Sequence, residues 1–157
     1  MNKQASKFKI LDNYFITLFG MQIVFFVTLI YFRSEIRSLL PIPFASEKEA
    51  VLTIVSVSFL TIIFVKLIHF YVTKYFAGKS FQSKVFGFVI VTIAELTLLV
   101  IVNIFILVTY VLMNSYFFLF IFGLFLLLQF AYRPRLHNFR KEFNVSNNNS
   151  EKIQTDF

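Results

Sequence analysis

The chain has 157 residues, of which 58% are hydrophobic and only 15% are charged. A soluble domain is typically about 25% charged, so this composition indicates an integral membrane protein. Cysteine is absent, which excludes disulfides, thiolate metal sites and thiol-based catalysis.

Four apolar segments follow one another along the chain, and each is close to or above the roughly 20 residues that a helix needs to cross a bilayer. The predicted spans are Tyr14–Phe32, Val51–Thr73, Val85–Leu112 and Tyr116–Tyr132. The pattern predicts an all-α fold, a four-span transmembrane helical bundle, over residues 14–132. Residues 1–13 form an N-terminal segment, and residues 133–157 form a basic tail that we expect to be largely disordered after residue 144.

Local signals predict where several helices begin and end. Ser46 followed by Glu49 is a capping box, which predicts a helix start just before the second span. The turn from Met113 to Ser115 is so short that the third and fourth spans must form a tight antiparallel hairpin. Apolar residues also recur at helical spacing in the tail, which predicts a short helix at the membrane interface. These residues are Leu136, Phe139 and Phe143.

The distribution of positive charge predicts the orientation of the bundle. Eleven Lys and Arg residues lie in the N-terminal segment, the second loop and the tail, against three in the first loop. By the positive-inside rule, both termini lie in the cytoplasm, as in a multi-pass protein of a bacterial inner membrane. The formal net charge of +7 is then a topology signal. We expect it to attract anionic lipid headgroups rather than nucleic acid.

One carboxylate, Glu95, lies inside the third span. The helical rise puts it about 7 Å from the cytoplasmic face, level with Lys66 on the second span and Arg133 at the end of the fourth. These three residues are the predicted intramembrane ion-pair candidates, because a buried charge requires a partner. His69, one turn from Lys66, is interpreted as an interfacial histidine. Glu95 could be a structural ion pair, a site that binds and releases a proton or cation, or part of an oligomer interface.

Amide and hydroxyl side chains also occur at membrane depth. Such groups commonly form hydrogen bonds between helices, worth about 0.6 kcal/mol each on average. The residues expected to make such interhelical contacts are Gln22, Asn103, Thr92 and Gln129.

The glutamate in the third span and the basic RPRL exit after the fourth resemble a loose class of small, uncharacterised four-span bacterial membrane proteins. That resemblance implies no known activity. No nucleophile–base pair, phosphate loop or metal-ligand spacing is visible, so we predict neither an enzyme nor a metal or cofactor site. The leading hypothesis is a non-catalytic accessory or scaffold subunit of a membrane assembly. The alternative is a small oligomeric protein that conducts protons or ions through Glu95.

The predicted topology can be tested with reporter fusions at Phe44, in the first loop, and at Ser146, in the tail. We expect the two fusions to report opposite sides of the membrane, because three spans, an odd number, separate them. Signals from the same side would contradict the four-span count.

Overall fold

The structure, a computed structural model, describes residues 3–39, 43–44, 46–134, 138–140 and 143. Within these ranges the regular structure is helical, with no strand. The principal helices are α1 (Lys3–Tyr31), α2 (Arg33–Leu39), α3 (Glu47–Phe76), α4 (Phe81–Met113) and α5 (Tyr116–Ala131). The predicted all-α class is therefore confirmed. The disorder predicted after residue 144 lies outside the described residues.

Three of these helices are long and apolar enough to cross a membrane. They are α3, α4 and the part of α1 from Ser6 to Tyr31. The predicted fourth span coincides with α5, a shorter apolar helix of 16 residues. Helix α2 does not correspond to a predicted span, because it lies in the connection between the first two predicted spans.

Side chains cap the helix ends that the sequence indicates. The Ser46 hydroxyl accepts a hydrogen bond from the backbone N–H of Glu49 at 3.2 Å, so the predicted start of α3 is confirmed. Helix α4 ends at Asn114, whose φ of 58° lies in the left-handed region that asparagine tolerates better than most residues. The Asn114 N–H donates to the Tyr110 carbonyl at 2.9 Å, which closes the turn into α5.

Helix α4 lies at the centre of the bundle, and α1, α3 and α5 each pack against it. Half of its most apolar segment is buried within the protein, against 17% for the corresponding segments of α1 and α3. The main apolar core joins α4 to α5, with contributions from α1 and α3. Side chains of α4 therefore meet neighbours on several sides, while α1 and α3 expose most of their apolar surface.

Helix α1 runs parallel to α4, while α3 and α5 run antiparallel to it. Near the start of α1, the Tyr14 hydroxyl lies 2.9 Å from the Thr97 hydroxyl, and just beyond its end Arg33 donates to the Tyr110 hydroxyl at 3.4 Å. We call the end of the bundle where α1 and α4 begin, and α3 and α5 end, the basal end. The second loop and the described start of the tail also lie at this end.

Helices α3 and α4 approach closely at the basal end. A Cβ atom on Gly87 would lie 2.6 Å from Cδ2 of Phe76, so only glycine fits there without displacing the ring. This close antiparallel approach places the first turns of α4 directly against the end of α3.

The start of the tail packs on the basal end of the bundle. Phe139 lies 5.5 Å from Phe8 of α1 and 5.4 Å from Phe88 of α4, measured between ring centres. The Lys84 ammonium donates to the Phe143 carbonyl at 3.1 Å. Phe139 and Phe143 are therefore buried against protein rather than placed at a lipid interface, and residues 138–140 are helical. Leu136 lies outside the described residues.

Candidate functional site

A polar cavity of about 570 Å³ opens at the basal end, between α3, α4 and the segment that follows α5. Its lining includes the polar side chains of Lys66, His69, Thr92, Glu95, Tyr132, Arg133 and Asn138. The three residues that the sequence places at one membrane level, Lys66, Glu95 and Arg133, thus line one cavity. Their individual partners differ from those expected.

Glu95 is paired with His69. The carboxylate oxygen Oε1 lies 2.8 Å from Nδ1 of the imidazole, and Glu95 is only 4% exposed. Sequence analysis proposed Lys66 or Arg133 as the partner and interpreted His69 as interfacial. The antiparallel packing of α3 on α4 brings His69 directly against Glu95. Lys66, one turn away on α3, attracts the carboxylate electrostatically from a longer distance.

Arg133 is paired with Asp12. Its Nε and Nη2 atoms donate to the two carboxylate oxygens of Asp12 at 3.0 and 3.2 Å, a bidentate arrangement. These hydrogen bonds and the charge of Asp12 raise the pKa of the Arg133 guanidinium above its ordinary value. Sequence analysis assigned Asp12 to the N-terminal segment and overlooked it. Its position just before the first span, level with the end of the last, is the signal that could have identified it.

Lys66 has no acid partner in the described part of the chain. Its ammonium forms neither a hydrogen bond nor an ion pair there, and it lies 5.5 Å from the centre of the Tyr132 ring. A lysine over an aromatic ring gains a modest cation–π attraction of about 0.5–1 kcal/mol at an exposed site. This cavity-lining cation is therefore still able to bind an anion.

A second polar group, which we call the amide triad, consists of Gln22, Asn103 and Gln129. The Asn103 Nδ2 donates to the Gln22 Oε1 at 2.7 Å, and the Gln22 Nε2 donates to the Gln129 Oε1 at 3.0 Å. All three side chains are at most 1% exposed. The triad therefore links α1, α4 and α5 inside the bundle. Thr92, expected to make a similar contact, instead lines the cavity and makes no side-chain hydrogen bond to a described residue.

Apolar side chains separate the amide triad from the cavity. Glu95 and Asn103 are eight positions apart on α4, which corresponds to about 12 Å along the helix axis. Leu96, Leu99 and Val102 fill this interval and are 1%, 0% and 7% exposed. Within a single copy of the chain, the buried side chains of α4 between the cavity and the amide triad are thus apolar.

The chemistry available to the cavity is that of charge and proton binding. The described residues contain no group of three or more His, Asp or Glu side chains that could hold a metal ion. The His69–Glu95 pair can hold a proton between an imidazole and a carboxylate, and Lys66 and Arg133 can bind an anion. No protein-family model matches the sequence, and neither curated proteins nor solved structures yield a match.

From the hydrogen bonds of the amide triad we predict how substitutions within it change the stability of the protein. Gln22→Leu should lower the free energy of unfolding by about 1–3 kcal/mol, because it leaves both Asn103 and Gln129 without their partner in the core. Gln129→Leu should cost less, since Asn103 keeps its hydrogen bond to Gln22. Unfolding of the detergent-solubilised protein measures both, with Gln82→Leu at an exposed position of α4 as the control. Equal losses for the two core variants would contradict a central role for Gln22.

Proposed function

We propose that this protein crosses a bacterial inner membrane four times, with both termini in the cytoplasm and the basal end at the cytoplasmic face. Helix α5, with 16 residues, is about 24 Å long and thus shorter than a hydrocarbon core of about 30 Å. Local thinning of the bilayer accommodates such a difference at modest cost. Tyr116 and Tyr132 flank the helix, where interfacial tyrosines are favourable.

Within that membrane, we propose a non-catalytic role as an accessory or scaffold subunit of a larger assembly. The observation that carries this proposal is the one-sided packing of α3. Among the described helices, α3 makes its extensive contact with α4 alone, whereas α5 also packs on α1 through ring pairs such as Phe26 and Phe122. A helix of a closed four-helix bundle normally packs against two neighbours. The outward face of α3 is apolar and exposed over most of its length. It includes Leu52, Phe59, Ile63 and Phe70.

A transmembrane helix of a partner subunit is the occupant that this face suits best. Lipid chains are as apolar as leucine, so association of helices in a membrane depends on close packing rather than on the hydrophobic effect. The outward side of α3 offers aromatic and branched side chains along several turns. Its charged residues lie toward the two ends of the helix, namely Glu47, Lys48 and Glu49 at the start and Lys66 and Lys74 toward the basal end.

Cross-linking from single cysteines tests the accessory role, because the native chain has no cysteine to interfere. A photoreactive label on Phe59→Cys or Ile63→Cys in intact membranes should yield a protein adduct of defined mass. A label on Leu127→Cys, exposed on α5, is the matched control and should yield mainly lipid adducts. Mass spectrometry then distinguishes another subunit from a second copy. Lipid adducts alone at both α3 positions would contradict the proposal.

A second candidate function is proton or cation conduction, and the His69–Glu95 pair is the observation that favours it. An imidazole and a carboxylate 2.8 Å apart at the wall of an open cavity can hold a proton between them. The buried apolar residues between this pair and the amide triad argue against a continuous pathway in one copy. Conduction would then require a pathway formed between copies.

Glu95→Gln separates the two candidates. If the protein is an accessory subunit, the free energy of unfolding of the variant should fall by about 1–3 kcal/mol, because a buried charge-assisted contact to His69 is lost. The parent protein should then carry no ion flux. Thermal unfolding in detergent and ion flux in proteoliposomes should be measured on the same preparations. Glu35→Gln, at an exposed position on α2, is the control. A stable variant that abolishes a measurable parental flux would instead establish conduction.

A further inference from the structure

The cavity places Lys66, which is unpaired among the described residues, beside two side chains that already have partners. Arg133 is paired with Asp12, and His69 with Glu95, while Lys66 makes no hydrogen bond or ion pair to any described residue. A charged group in the low dielectric of a membrane interface is stabilised by an anion at close range. The ammonium of Lys66 therefore has hydrogen-bond donors left with which to bind an anionic group in the cavity.

Arg133 retains hydrogen-bonding capacity in addition to its charge. Asp12 engages Nε and Nη2, which accounts for two of the five N–H donors of a guanidinium. Because Arg133 also lines the cavity, an anion beside Lys66 would lie between an ammonium and an anchored guanidinium. Oxygen-rich anions such as phosphate esters are the groups that this combination recognises best.

The polarity of the cavity changes along its depth. Lys66 and Arg133 lie toward the basal end, whereas Ile62, one turn farther into the bundle on α3, and Leu128 on α5 form apolar walls. Ile62 is 37% exposed, so this side of the cavity opens laterally between α3 and α5. Its volume of about 570 Å³ is within the range of ligand sites, about 300–1,000 Å³. A polar mouth over an apolar lateral groove matches an amphiphile better than a free anion.

We propose that this cavity binds an anionic phospholipid. The phosphate contacts Lys66 and Arg133, and the first methylene groups of an acyl chain lie along Ile62 and Leu128. Basic pockets between membrane helices at the cytoplasmic face are known to hold lipid headgroups in this way. The inference rests on the proposed membrane orientation and is independent of the accessory role.

Native mass spectrometry of the full-length protein, released from detergent and titrated with phosphatidylglycerol, measures this binding. The parent should retain phosphatidylglycerol in preference to phosphatidylcholine. Lys66→Gln should weaken retention about tenfold, the effect of losing one charge-assisted contact. Lys66→Arg should restore it. Lys74→Gln is the matched control, because Lys74 lies on the same helix, 5.6 Å from the Phe70 ring centre, outside the cavity. Its retention should equal that of the parent.

A variant that changes shape without changing charge provides an independent check. Ile62→Trp should narrow the lateral groove and weaken phosphatidylglycerol retention while the thermal unfolding temperature stays close to that of the parent. Equal losses for Lys66→Gln and Lys74→Gln would overturn the proposal in favour of nonspecific surface attraction. Displacement of the lipid by millimolar inorganic phosphate would overturn the lipid assignment in favour of a free phosphate site. Incorporation of the protein into phosphatidylcholine nanodiscs tests separately whether it inserts into a bilayer. A failure of membrane insertion can therefore be distinguished from a failure of phospholipid binding in the cavity.

Discussion

The burial of Glu95 and Asn103 on one helix constrains the arrangement of the whole bundle. Neither side chain can face lipid at low cost, so α4 must be covered on the faces that carry them. Helix α3 covers Glu95 with His69, and α1 and α5 cover Asn103 through the other two members of the amide triad. The central position of α4 follows from this requirement, and so does the greater burial of its apolar segment.

These polar contacts also fix the axial register of the helices and the rotation of each helix about its own axis. Apolar packing between membrane helices has little directional preference, because lipid and leucine offer similar contacts. Hydrogen bonds at two levels of α4 are directional, and they lie on opposite sides of a packed apolar layer that includes Leu99. One level aligns α3 with α4, while the other aligns α1 and α5 with it. The same apolar layer separates the two polar groups along α4.

The sequence predicts the helices, and the depth of their polar residues along the bundle, better than it predicts the contacts between side chains. Hydropathy identified the helices, and Ser46 marked the start of α3, because both signals are local. Helical rise also brought Lys66, Glu95 and Arg133 to one level, and the structure places them around one cavity. The depth of a residue along the bundle does not determine the rotation of its helix or the reach of its side chain. That information, which comes only from packing, decides that His69 rather than Lys66 contacts Glu95.

The pairing of Arg133 illustrates the same limit and has a consequence for the site. Asp12 precedes the first apolar segment, so hydropathy places it outside the membrane and does not mark it as a partner for a residue at the end of the last span. Asp12 pairs with Arg133 and His69 with Glu95, so that among the described residues lining the cavity Lys66 is the cation with hydrogen-bonding capacity to spare. Lys66 also lies on the flank of α3 that faces α5, next to the outward apolar face. A partner helix docked on α3 would therefore border the mouth of the cavity, and a bound phospholipid would lie at the edge of that interface.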